Sequence, residues 1–275
     1  MTGIRSVTLG TENIDKTIHL FHNIIGMRYV KRDTTVQFGD VSLNPGTRLQ
    51  FVKIPRSLTP NQSHFESIGL RTPSDQGLQE YKDIFEQNDI TFSDITKMNG
   101  HAHFYIHDHN TQRVDIYSNE HNSGVQLGTP DDNSSVNPLH QVQGLGPVIV
   151  RTNEVLITIT LLTKIFNFEL YAEYQNHENQ TVTVLQRGQG GLGSEVHLYQ
   201  AKTPIQLSEY GIIEQLEFTA TNIDEFQNAI AQLKQHDIPY QMLQNTQKNT
   251  KTVRVSDTSG ISFLLTLDMK KDDDD

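Results

Sequence analysis

The sequence predicts an α+β protein in which four βαβββ units pair into two cup-shaped mixed-sheet modules. Three observations carry this. A strand-then-helix stretch, Gly3 to Val30, returns at Gly144 to Tyr171 with a constant offset of 141 residues: Ile4 falls on Leu145, Val7 on Val148, Thr11 on Thr152, Leu20 on Leu161 and Ile24 on Ile165. A second match, at an offset of 148, sets Leu70 on Phe218, Phe85 on Leu233, Asp89 on Asp237 and Ile90 on Ile238. Three short strand patterns follow each helix. A repeat that keeps its register through strand, turn and helix is a structural unit. One such unit has an apolar sheet face and an open edge; pairing two units covers both and leaves clefts, a usual place for a ligand.

Taken in order, residues 3–9 alternate as a strand, and Asn13 or Thr11 is suited to cap the helix that follows. That helix carries Ile14, Ile18, Phe21, Ile24 and Ile25 at helical spacing and ends at Gly26. Strands are expected at 27–32, 36–39 and 49–53. Residues 55–63 are linker by composition. The second unit has a strand at 65–72, a helix at 77–88, and strands at 91–92, 102–107 and 113–117. The third has a strand at 144–151, a helix at 153–166, and strands at 169–174, 181–186 and 195–200. The fourth has a strand at 213–219, a helix at 223–236, and strands near 240–243, 252–255 and 261–266. The expected organisation is a first two-unit domain at 1–122, a polar linker at 123–142, a second two-unit domain at 143–268 and a solvated acidic tail at 269–275.

Composition narrows the function classes. With no Cys there is no disulfide framework, thiolate metal site or Cys nucleophile. A formal charge of −11 argues against binding nucleic acid through its phosphates. No run approaches the ~18 apolar residues of a membrane span, and the N-terminus lacks a signal-peptide pattern. A soluble, cytoplasmic protein with no membrane partner is the expectation; homo-oligomerisation stays open.

The unit order, the opening Gly-Ile-x-x-Val-Thr, the run Ile25-Gly26-Met27-Arg28-Tyr29-Val30-Lys31-Arg32, Pro45-Gly46-Thr47 before a Phe-containing strand, and Gly260-Ile261-Ser262-Phe263 together resemble the vicinal oxygen chelate superfamily. That superfamily includes glyoxalase I, bleomycin-resistance proteins and extradiol dioxygenases. The chain is most similar in plan to two-domain bacterial hydroquinone and catechol ring-cleaving dioxygenases. The resemblance implies one divalent iron or manganese held by two His and one Glu, an arrangement that leaves open positions for catechol oxygens and dioxygen. This sequence departs at each ligand. Ser6 stands where the first imidazole is expected, Gln215 where the second is, and Leu264 where the carboxylate is; Arg254 falls where relatives often carry an acid–base Tyr. The other cup has Ser67, Tyr117 and Pro147 at the equivalent positions. A Ser, a Gln and a Leu offer neither imidazole nor anion, so no metal is expected at these positions.

His101, His103, Tyr105 and His107 share one face of a strand by alternation, and His-x-His can bind zinc or copper. His103 and His107 are therefore the weaker, alternative metal ligands, and a polar strand face running into a turn explains them more simply. His19 and His22 read as a solvated helix face. The stretch Gly188–Ser194 precedes a strand rather than a helix, so it lacks the helix N-terminus of a phosphate cradle. Glu214 and Glu217 are three apart on a strand and point to opposite faces. The leading reading is a metal-free relative of ring-cleaving dioxygenases, with no cofactor, that binds a small aromatic or quinone-like molecule near Ser6, Gln215, Arg254 and Leu264. The alternative is an extradiol dioxygenase or glyoxalase-type enzyme with rearranged ligands around iron, manganese or zinc. A purely structural role is the third.

Overall fold

The computed structural model describes residues 3–247 and 249–269; the acidic tail expected beyond Met269 lies outside the described residues. Four βαβββ units are present. The first comprises β1 (Ile4–Thr11), α1 (Ile14–Ile18), β2 (Arg28–Arg32), β3 (Thr35–Gly39) and β4 (Arg48–Lys53). The second comprises β5 (Phe65–Thr72), α2 (Asp75–Gln87), β6 (Thr96–Met98), β7 (His101–His107) and β8 (Arg113–Ser118). The third comprises β9 (Gly144–Thr152), α3 (Val155–Thr160), β10 (Phe168–Gln175), β11 (Thr181–Arg187) and β12 (Val196–Gln200). The fourth comprises β13 (Glu214–Thr219), α4 (Ile223–Gln235), β14 (Gln241–Asn245), β15 (Thr250–Ser256) and β16 (Ile261–Asp268). The strand expected at 91–92 is a single bridge, Phe92 to Ile106, and the edge strand of that unit lies at β6 instead.

Local chemistry explains the boundaries. Asn13, Ser74 and Asn222 cap α1, α2 and α4 by accepting backbone N–H groups of Lys16, Gly77 and Glu225. Both α1 and α3 widen into a π-helical segment, His19–Ile24 and Leu161–Ile165. The segments overlap at the 141-residue offset, and Leu20, Phe21 and Ile24 are buried like Leu161, Leu162 and Ile165. The internal repeat thus extends to a rare helical distortion.

Two eight-stranded sheets result. One runs β14-β15-β16-β13-β1-β4-β3-β2, the other β10-β11-β12-β9-β5-β8-β7-β6. Each therefore joins a unit from the first half of the chain to one from the second, through the antiparallel pairs β1–β13 and β5–β9. The helices pack the other way, within each half: the Tyr81 hydroxyl on α2 donates to the carbonyl of Ile25 at 2.8 Å, and Phe166 and Phe168 of the third unit pack on Phe218 of the fourth. One continuous apolar core links all four units. Between the halves, Val125, Val136 and Val142 are buried, and the Ser134 hydroxyl donates to the Gly26 carbonyl.

Candidate functional site

The concave face of the first sheet holds a cavity of about 310 Å³. Strand register dictates what faces it. Ser6 lies beside Glu217 on one side and Arg48 on the other, Glu217 lies beside Leu264, and Leu264 beside Arg254. A β-bulge between Ile4 and Ser6 re-aims Arg5 into the same cup. Gln215 pairs with Thr8, two residues along the strand from Ser6.

Ser6 and Leu264 therefore share the cavity wall, together with Arg5, Arg48 and Glu217. Gln215 and Arg254 do not line it. Arg254 donates through Nη2 to Gln241 on the edge strand β14, and its buried Nε has no partner.

The polar groups of the floor are largely committed to one another. Glu217 accepts from Ser6 Oγ at 2.5 Å and Thr266 Oγ1 at 2.6 Å, and Arg5 Nε lies 3.5 Å from it. Arg5 is buried, grips Asp268 with two bonds of 2.7 and 2.6 Å, and reaches Thr219. Those bonds from Arg5 hold the Asp268 carboxyl below its usual range. Burial and the nearby Arg5 together pull the Arg48 guanidinium below its usual value, against the attraction of Glu217, Asp268 and Asp40.

This donor set does not fit a divalent iron or manganese. It offers one carboxylate, already holding two hydroxyls, with a guanidinium against it and an aliphatic side chain beside it. A hard cation there would meet the charge of Arg5 and find no imidazole. Among the described residues no group of three or more His, Asp or Glu is placed to hold a metal ion.

His103 and His107 occupy separate places. His103 is buried in the second cup, where Nδ1–H donates to Asp115 at 2.8 Å, Nε2 accepts from Thr96 at 3.2 Å, and the ring stacks on Tyr117 at 4.6 Å. Asp115 also accepts from Ser67 and takes two bonds of 2.9 Å from Arg113. Burial alone raises the Asp115 pKa, but the bonds from His103 and Arg113 outweigh it and leave the carboxyl below its usual range. Nearby, Tyr174 donates to His197 Nδ1 at 3.1 Å, and His197 Nε2 and Gln186 bond Glu195 at 3.1 and 2.7 Å. The second cup is thus filled by its own polar side chains, with Ser67 and Tyr117 among them. His107 is exposed and borders a different cavity, at the seam between the sheets, also of about 310 Å³.

Sequence reasoning missed three participants. Arg5 and Arg48 enter the cup through the bulge and through cross-strand pairing, neither of which has a local signature. His64 joins Glu214 (Nδ1 to Oε2, 2.8 Å) and Ser259 (Nε2 to Oγ, 2.8 Å), residues 150 and 195 positions away. That chain has the connectivity of a nucleophilic triad, but Ser259 is buried and its hydroxyl donates to Asp257 at 2.6 Å. Its role is to lock the 63–64 segment onto the first sheet. Glu214 and Glu217 do face opposite sides, one to His64 and the other to the cup.

No family model matches the chain. Over 237 residues, 82% of this chain and 74% of the other, it is 28% identical to MhqA of Bacillus subtilis, named as a proposed ring-cleaving dioxygenase. A B. subtilis crystal structure titled as that of a proposed dioxygenase superposes with a TM-score of 0.75 at 14% identity, covering 98% of this chain and 86% of that one. The chain has the vicinal oxygen chelate fold. Glyoxalase I from Zea mays shares this vicinal oxygen chelate fold, with a TM-score of 0.62 at 12% identity over 98% of this chain and 93% of the maize enzyme. Within the described residues, no helix is long and apolar enough to cross a membrane.

Proposed function

We propose that this chain is a metal-free member of the superfamily, a binding protein that receives a small aromatic or quinone-like molecule in the cup floored by Ser6, Glu217 and Leu264. One observation carries the reading: where a ring-cleaving relative needs imidazoles and a free carboxylate, this cup presents Arg5, a Glu217 already bonded to Ser6 and Thr266, and Leu264. Side-chain amides remain to meet ring oxygens, supplied by Gln37 and Gln50 on the walls. The cavity is the size of a small ligand site. The binding role needs neither oxygen activation nor a cofactor.

Protein purified without an affinity tag tests this. Elemental analysis is expected to find iron, manganese and zinc well below one equivalent, and chelator treatment to leave the melting temperature unchanged. Hydroquinone or catechol at about 100 times its Kd is expected to stabilise the fold by about 2.7 kcal/mol. Stoichiometric metal, lost together with catechol turnover on chelation, would overturn the reading.

A further inference from the structure

The polar ledger of the cup does not close at Arg48. Its Nε donates to the Leu43 carbonyl at 2.5 Å, which fixes the plane of the guanidinium. Among the described residues Arg48 makes no other hydrogen bond and no ion pair. Its two Nη groups are therefore left toward the cavity that Arg48 lines, in register beside Ser6. The lining carries two guanidiniums, Arg5 and Arg48, against the single carboxylate of Glu217. Arg5 is spent on Asp268, Glu217 and Thr219. One guanidinium edge, with neither Nη group bonded, remains inside a partly enclosed polar site.

We propose that the ligand of this cup is a small aromatic carboxylate, held end-on by the Nη1 and Nη2 groups of Arg48. The inference rests on the cup being the ligand site. Its reasons are geometric. A guanidinium fork is planar and presents two parallel N–H groups that match the two oxygens of a carboxylate. The cavity of about 310 Å³ accommodates a single ring, with Leu243 and Leu264 for its faces and Gln37 and Gln50 for ring hydroxyls. Partial burial strengthens the pair, because the charges interact through a medium less screening than water.

The test compares 2,3-dihydroxybenzoate with catechol by calorimetric titration of the full chain. The two probes share the ring and its vicinal hydroxyls and differ in the carboxylate. The carboxylate probe is expected to bind about tenfold tighter or more, as a charge-assisted bidentate contact implies. Raising the salt from about 0.05 M to about 0.5 M should narrow that margin while sparing catechol. Arg48→Met is expected to bring the two affinities together by weakening only the carboxylate probe, and Arg48→Lys to retain part of the preference. Equal affinities in the wild-type chain overturn the inference but leave the binding role standing, as does a preference that survives Arg48→Met. If neither probe binds, the binding role falls with it. Should Arg48→Met misfold, the wild-type comparison and its salt dependence still decide.

Discussion

Replacing Asp115 by Asn probes the second cup at its most demanding point. The Asp115 side chain is fully buried. Its two oxygens serve Ser67, His103 and both N–H groups of the Arg113 fork. Asn keeps the shape but removes the charge and turns one acceptor into a donor, which then faces donors. Arg113 is left without its anion and His103 without its carboxylate. Breaking a buried charge pair from one side costs about 3–5 kcal/mol. Urea denaturation followed by tyrosine fluorescence suits a chain with nine Tyr and no Trp. The midpoint should fall by roughly 1–2 M. A pH series adds a second arm. Because the folded pKa of Asp115 lies below the unfolded value of about 3.9, its contribution is present above that pH and is lost as the pH falls through the folded pKa. The gap between wild type and Asp115→Asn should therefore hold from pH 7 down to about pH 4 and shrink below it. A loss under about 1 kcal/mol at pH 7, no more than one ordinary hydrogen bond, would refute the argument. So would a gap that stays constant to pH 2.

Two further changes test the packing. Phe218→Ala removes a fully buried ring that meets Phe168 at 4.8 Å and Phe166 at 6.2 Å, and should cost about 3–5 kcal/mol, read as a lowered thermal midpoint. A drop under about 1 kcal/mol would mean that this contact between the third and fourth units is not part of the core. Asn222→Ala removes the cap of α4, whose side chain accepts from Glu225 N at 2.9 Å, and should cost about 1 kcal/mol, with Asn222→Ser restoring most of it. No loss in the Ala variant would show that Glu225, which also bonds Thr221, carries the helix start alone.

The fold was legible in the sequence because the repeated units differ in side chains but keep their spacing. The offset aligning Leu20 with Leu161 also aligns their π-helical segments. The site was legible only in part. The resemblance pointed to Ser6 and Leu264 as positions of the family's metal site, and both line the cavity. Gln215 sits two residues along, opposite Thr8, because β1 meets β13 with a bulge at Arg5, which pairs Ser6 with Glu217. A bulge is one extra residue in a strand, and nothing in the local composition announces it. His64, Glu214 and Ser259 come together from three distant segments, so their bond network exists only once the sheets have formed.

The crossed pairing of units also sets an order of assembly on the ribosome. The middle two units, residues 65–200, are contiguous and hold every strand of one sheet, so that sheet can close while the chain is still growing. The outer two must wait. Arg5 emerges first and finds its partner Asp268 263 residues later, so the cup stays an unpaired edge until the last strand is made. Such late, long-range closure is slow and leaves β1 exposed in the interim. Arg5, Ser6 and Thr8 make that strand polar enough to remain soluble until its partner arrives.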